Sequence, residues 1–308
     1  MTSSNLIALC LLTAGSLRGA ALQLFEAVEP HMGTLVRIQL YARDTAQADA
    51  AFRAAFARIA QLDAALSDYR DDSEINRLCR HPVNQPVPIS ADLYTVLDAA
   101  LQLAGETDGS FDPTLGPVTA LWREARKQRR LPDDAVLREA LARTGYRHLR
   151  LDPVARTAAF DIPDMRLDLG GIAKGYAADA ARATLAARGL DRALVAVSGD
   201  LAIGDPPPGS KGWRVGIASQ GDARILANTA VSTSGDAEQH LDVAGQRYSH
   251  IVNPKTGVGL TTGGLVTVIA LRGIDADSWS TALSVLGRDR SQAVLANHPG
   301  ITAIFSVD

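Results

Sequence analysis

Asp168-Leu-Gly-Gly-Ile-Ala-Lys-Gly-Tyr-Ala-Ala-Asp179 joins two kinds of sequence, and that join decides how the chain is read. Ahead of it, Met165–Leu169 alternates apolar and polar residues as a strand does. Behind it, Tyr176–Arg188 is rich in alanine and nearly free of breakers, which predicts a helix. Gly170 and Gly171 let the backbone pass close to a ligand, and a starting helix directs unpaired N–H groups at an anion. Lys174 adds a positive charge in the first turn, and Asp168 is left to meet a base, a hydroxyl or a metal. The stretch therefore reads as a phosphate loop, with plain turn chemistry and a solvated lysine as the competing reading. Its spacing is neither G-x-x-x-x-G-K-[ST] nor G-x-G-x-x-G.

Working outward toward the N-terminus, Arg147–Leu151 and Thr157–Ile162 read as a hairpin around Asp152-Pro153. Helices are expected over Asp133–Thr144, over Asp92–Thr107 and from Gln47 onward, where Phe52, Phe56, Ile59, Leu62 and Leu66 recur at helical spacing. Ser73 with Asn76 opens a short helix, and Leu35–Tyr41 alternates as a strand behind His31-Met-Gly-Thr34. Toward the C-terminus, Ala193–Val197, Trp213–Ile217, Arg247–Val252, Leu265–Ala270 and Ile301–Phe305 read as strands. Asp275–Gly287 and Ser291–Asn297 read as two helices, and Thr233-Ser-Gly235 offers two hydroxyls before a flexible glycine, useful for phosphate or equally a plain turn. Strands and helices mix without strict βαβ alternation, so the expected class is α+β rather than a doubly wound sheet.

Bulk properties narrow the function. The 308 residues carry a formal net charge of -3, which argues against a nucleic-acid partner. Arg123–Arg130 is the one basic cluster, read as the solvated end of a helix or as a contact for an anionic membrane. Cys10 and Cys79 form no C-x-x-C pair, which argues against a zinc site or a disulfide framework. Leu6–Ala14 is an apolar run too short to span a bilayer, and Gly19-Ala20-Ala21 suits cleavage. Residues 1–21 are thus expected to be a signal peptide directing export, although no Lys or Arg precedes the run; without a signal the chain would be cytoplasmic. Residues 22–308 are expected to form one domain of two closely packed subdomains.

Asp277 and Thr281 lie four apart on a helix and share a face; as hard oxygen donors they suit Mg²⁺ together with phosphate oxygens. His250 ends a strand before a Pro-containing turn, a place open to a structural or a catalytic histidine.

Seven segments in this order closely resemble the FAD:protein FMN transferases, the ApbE-type family. They are Met32-Gly-Thr34, Tyr69–Glu74, Gly109-Ser-Phe-Asp-Pro-Thr114, Asp168–Gly175, Thr233-Ser-Gly235, His250–Gly257 and Ala276-Asp-x-x-x-Thr281. The resemblance implies a T-fold-like α+β enzyme with mixed and antiparallel strands, flanking helices and a site between two subdomains. It implies Mg²⁺-dependent transfer of FMN from FAD to a Thr or Ser hydroxyl of an acceptor protein through a phosphoester, releasing AMP. A respiratory-chain or electron-transfer flavoprotein subunit is the expected kind of acceptor, with the enzyme in the periplasm or on the inner membrane facing it. Carried over by position, Met32, Tyr69, Ser110, Phe111, Asp112, Asp168, Lys174 and Ile251 would contact FAD. Asp277, Thr281 and the Gly171 carbonyl, with Ser280 nearby, would hold the metal, and His250 would be the general base. Ser198-Gly199-Asp200 and His31 depart from the family pattern. An FAD pyrophosphatase and an exported flavin-binding protein without chemistry are the rival readings.

Overall fold

A computed structural model describes residues 21–217, 223–235 and 239–306. The signal-peptide reading of residues 1–21 therefore falls outside the described residues, apart from Ala21. The chain runs β1 (Gln23–His31), β2 (Thr34–Ala42), α1 (Thr45–Leu66), α2 (Glu74–Leu78), β3 (Val87–Pro88), α3 (Ala91–Glu106), α4 (Gly116–Gln128) and α5 (Asp134–Leu141). It continues through β4 (Leu149–Asp152), β5 (Thr157–Phe160), α6 (Ala173–Ala186), β6 (Ala193–Val197), β7 (Asp200–Ile203), β8 (Trp213–Gly216) and β9 (Ala223–Leu226). Last come β10 (Thr229–Gly235), β11 (His240–Val243), β12 (Gln246–Ser249), β13 (Leu265–Ala270), α7 (Gly273–Leu295) and β14 (Thr302–Ser306).

The frame is a seven-stranded sheet in the order β1-β2-β6-β7-β10-β13-β14, antiparallel at every ladder. This is the α+β class the sequence predicts. Apolar residues of β2 and β6 alternate inward and bury against Phe52, Phe56 and Ile59 of α1 and Ala178 and Ala181 of α6. Further along the sheet, β10 and β13 pack on α7 within the largest apolar cluster, which continues through α3 and the β3-β5-β4 sheet. The β8–β9 hairpin closes part of the other face with Trp213 and Val215 over Leu194, Ile203 and Val231. A smaller cluster joins α4 and α5 to Leu241 and Val252, and Trp122 Nε1 donates to the Gly257 carbonyl at 2.7 Å.

Three local expectations change. Met165–Leu169 is not a strand: Arg166 makes an isolated bridge to Leu115, and the neighbouring chain is an irregular turn that offers no ladder. Its alternation still records burial, because Met165, Leu167 and Leu169 all point into the core. Thr233-Ser-Gly235 is no turn but the end of β10, paired to β13. The two expected C-terminal helices are both present within α7, separated at Gly287, where a φ of 74° needs glycine. Finally β1, which the sequence reading passed over, is the sheet's edge; exposed Leu24 and Val28, two glutamates and Pro30 suit an edge and blur the alternation. It reaches β2 through Met32-Gly33, both at positive φ, as a two-residue hairpin turn requires.

Candidate active site

Two helix starts meet at the site. A Cβ on Gly175 would overlap the Gly273 carbonyl oxygen, and one on Gly273 would overlap the Gly175 carbonyl oxygen. Glycine at both positions lets α6 and α7 touch backbone to backbone. Each helix then caps the other: Asp277 Oδ2 of α7 accepts from the Gly175 N–H at 2.9 Å, and Asp179 of α6 accepts from the Gly273 and Ile274 N–H groups at 2.7 and 3.0 Å. Arg272, the residue before α7, supplies no side-chain cap of its own. Carboxylates at helix N-termini gain both hydrogen bonds and dipole attraction. Asp179→Ala is expected to cost about 1–2 kcal/mol of stability, read as a lowered denaturant midpoint at unchanged slope.

This crossing sets a polar cluster. Lys174 Nζ lies 2.9 Å from Asp200 Oδ2, 3.1 Å from the Gly170 carbonyl and 3.7 Å from Asp277 Oδ1. Asp200 and Asp277 are buried at 4% and 2% exposure. Burial pushes the Asp277 carboxyl up to about 7, reinforced by the Asp200 charge and opposed by Lys174 and the Gly175 N–H. Burial works against the lysine's charge too, yet the two carboxylates outweigh it and hold its pKa above the ordinary value. Hydroxyls extend the cluster: Ser232 donates to Asp200 at 2.5 Å, and Ser280 lies 3.2 Å from Ser232 and 2.7 Å from Ser234, with Ser234 3.3 Å from Thr281 Oγ1. A Cβ on Gly171 would come within 2.8 Å of Thr281 Oγ1, so the glycine backbone lies against that hydroxyl. Gly171, Asp277, Ser280 and Thr281, the proposed cation set, thus share one locality.

Arg123 organises the neighbouring wall. Its guanidinium reaches Asp68 at 2.5 Å and Asp168 at 2.8 Å, and stacks 4.1 Å from the centroid of Tyr69. Burial raises the Asp68 carboxyl to about 6, helped by the Asp168 charge and opposed by Arg123. Asp168 also accepts from the Gly170 N–H at 2.8 Å, so its oxygens serve the loop as well as the wall. Tyr69 is 74% exposed, leaving the ring available to a flat partner. The expectation that Arg123 is solvated is corrected: it is a half-buried clamp holding two acidic side chains. Its neighbour one turn on, Arg126, makes no side-chain hydrogen bond or ion pair among the described residues and contributes charge near Tyr69, Asp168 and His250.

His250 follows β12. Its Nδ1 lies 3.1 Å from the Gln239 carbonyl, which can accept but not donate, so that nitrogen carries the proton and Nε2 keeps a lone pair. Burial lowers the imidazole's pKa below its ordinary 6.5, with help from Arg126 and Lys174. The ring is neutral at neutral pH, as a base must be.

The remaining predicted contacts sit deeper. Phe111, at 4% exposure, belongs to the main core, and Ser110 is buried beside it. Asp112 ties its own turn, accepting from Thr114 N and Oγ1 at 2.8 and 2.6 Å and from Tyr146 N at 3.0 Å. Met32 stands in the β1–β2 turn against two core clusters, and Ile251 is buried next to His250. His31 stacks on Phe56 at 5.6 Å. The sequence pattern assigns no site role to Asp179, Arg123 or Ser232 and shows Asp200 only as part of a departure from the family pattern. A carboxylate four residues past the Lys174-Gly175 pair was the one visible hint of the mutual cap.

A protein of Treponema pallidum (strain Nichols) named FAD:protein FMN transferase is 35% identical over 97% of this chain and 89% of its own. One of Klebsiella pneumoniae (strain 342) with the same name is 32% identical over 86% of this chain and 79% of its own. The crystal structure of the Pseudomonas stutzeri flavinyl transferase ApbE in its apo form superposes with a TM-score of 0.84 at 30% identity, covering 94% of this chain and 92% of that one. The ApbE protein of Thermotoga maritima gives 0.82 at 31% identity over 92% and 94%. Residues 32–305 match the model of the ApbE family, and the chain belongs to that family.

Proposed function

We propose that this transferase moves FMN from FAD to a Thr or Ser hydroxyl of an acceptor protein, in a Mg²⁺-dependent reaction that forms a phosphoester and releases AMP. The observation that carries the reading is the meeting of Asp277, Thr281 and the Gly171 backbone, with Lys174 Nζ 3.7 Å from Asp277 Oδ1. Asp277 Oδ2 is spent on Gly175, while Oδ1 meets Lys174 alone. Among the described residues nothing donates to the Gly171 carbonyl. One carboxylate, one hydroxyl and one carbonyl are hard oxygens that fit Mg²⁺, which when bound neutralises phosphate charge and polarises the phosphorus.

The chain's own groups do the rest. His250 Nε2 takes the proton as the acceptor oxygen attacks the FMN phosphorus; the phosphorus–oxygen bond to AMP breaks as the new ester forms. Tyr69, braced by Arg123, offers a face to a flat ring. His250→Ala should leave FAD binding intact and lower transfer by about 10²–10⁴-fold. In the wild type the acid limb of the rate should fall below pH 6.5: the base is neutral above its lowered pKa, and activity is lost as pH drops through it. An acid limb well above that value would contradict this role.

The hydrolase alternative needs the same groups and differs in the final acceptor. The test measures AMP with and without an acceptor domain, before and after EDTA. Transfer predicts AMP that depends on both acceptor and Mg²⁺; AMP at the full rate without acceptor assigns hydrolysis. The periplasmic location stays a proposal resting on residues 1–21, tested by sequencing the N-terminus of the exported protein.

A further inference from the structure

We propose that Lys174 is the protein's resident counter-ion for the Asp200–Asp277 pair, so that its ammonium and a divalent cation share one acidic locus and each weakens the other's hold. This rests on the cation reading of Asp277 and Thr281 given above.

The geometry separates Lys174 from the phosphate role that its place in the sequence suggests. Its Nζ donates to Asp200 Oδ2 at 2.9 Å and to the Gly170 carbonyl at 3.1 Å, and stands 3.7 Å from Asp277 Oδ1. An ammonium has three donors, and these contacts turn the group inward. The two carboxylate side chains are 6% and 3% exposed. A lone buried charge is expensive, and two of like sign are worse; the lysine is what makes that pair tolerable. Asp200 is fixed from its other side by Ser232 at 2.5 Å, so the lysine has a rigid anchor rather than a loose surface partner. Asp277 is held at Oδ2 by the Gly175 N–H, which leaves Oδ1 as the oxygen facing both the ammonium and an incoming cation. A cation there meets the lysine's charge across a few ångströms of protein, where repulsion is weakly screened. Coupling of this kind is reciprocal and typically changes affinity about 5–150-fold.

The test is a thermal-shift titration with MgCl2 of the full chain without flavin, for the wild type, Lys174→Gln and Asp200→Asn. Lys174→Gln should melt lower in the absence of Mg²⁺ and respond to Mg²⁺ with a midpoint about tenfold lower than the wild type. Asp200→Asn leaves the ammonium undivided on Asp277 and keeps an acceptor for Ser232, so its midpoint should rise. The opposite directions separate counter-ion sharing from loss of structure, which would weaken both variants alike. Equal midpoints in Lys174→Gln and wild type, or a lower one in Asp200→Asn, would overturn the inference. Should Lys174→Gln not fold, the direction seen in Asp200→Asn decides. A melting temperature indifferent to Mg²⁺ in all three chains would overturn the cation reading itself, whereas a wild-type response shared equally by the variants would overturn this inference alone.

Discussion

Asp277→Asn should abolish flavin transfer, with a rate at least about 10³-fold down, in a protein that still folds. Asparagine is chosen because the carboxylate has two jobs. Its Oδ2 accepts from the Gly175 N–H in the α6–α7 contact, and its Oδ1 faces Lys174 and the proposed cation position. An amide oxygen can keep the first bond while the charge needed for the second disappears. Alanine would remove both and confuse a folding defect with a chemical one, since an orphaned buried N–H costs about 1–3 kcal/mol. The measurement pairs single-turnover transfer with a denaturant midpoint. A variant that keeps more than a tenth of the wild-type rate at saturating Mg²⁺ would remove Asp277 from the chemistry.

Gly175→Ala should damage both stability and activity. The added Cβ would overlap the Gly273 carbonyl oxygen and crowd Asp277 Cβ at 2.7 Å. Neither neighbour can swing aside, because one is backbone and the other is tethered by the same N–H. The helices must separate, at about 1–3 kcal/mol or more for overpacking of this kind. The separation also draws Asp277 away from Gly171 and Thr281, so activity should fall further than stability alone explains. Gly189→Ala is the control at a glycine with open space but φ of +73°, where only backbone strain is expected. Equal stability of Gly175→Ala and wild type in urea would mean that the helix contact is looser than described.

What the sequence made legible follows from which interactions are local. Helical spacing in Phe52, Phe56, Ile59, Leu62 and Leu66 marks α1 because each residue's neighbours on the face lie one turn away. The β4–β5 hairpin and β13 are visible for the same reason, through alternation and a turn. Met165–Leu169 shows the limit: alternation reports which side chains are buried, while a strand also needs an extended partner, and Leu115 is the N-cap residue of α4. β1 hides because an edge strand buries little and so carries little pattern.

The site divides the same way. Asp277 and Thr281 stand out by spacing along one helix, whereas Arg123 finds Asp68 and Asp168 at separations of 55 and 45 residues that no window reveals. Lys174 was placed on a phosphate because its sequence neighbours are glycines; the fold gives it Asp200 from a strand turn and Asp277 from another helix. Asp179, in the first turn of the expected Tyr176–Arg188 helix, is the cap of α7.

The most direct test of the account is the intact mass of an acceptor domain carrying a Thr or Ser flavinylation site, incubated with this protein, FAD and Mg²⁺. The account predicts a gain equal to FMN less one water, one AMP released per acceptor modified, and neither with Asp277→Asn. An unmodified acceptor, while a known flavin transferase modifies it under the same conditions, would contradict it.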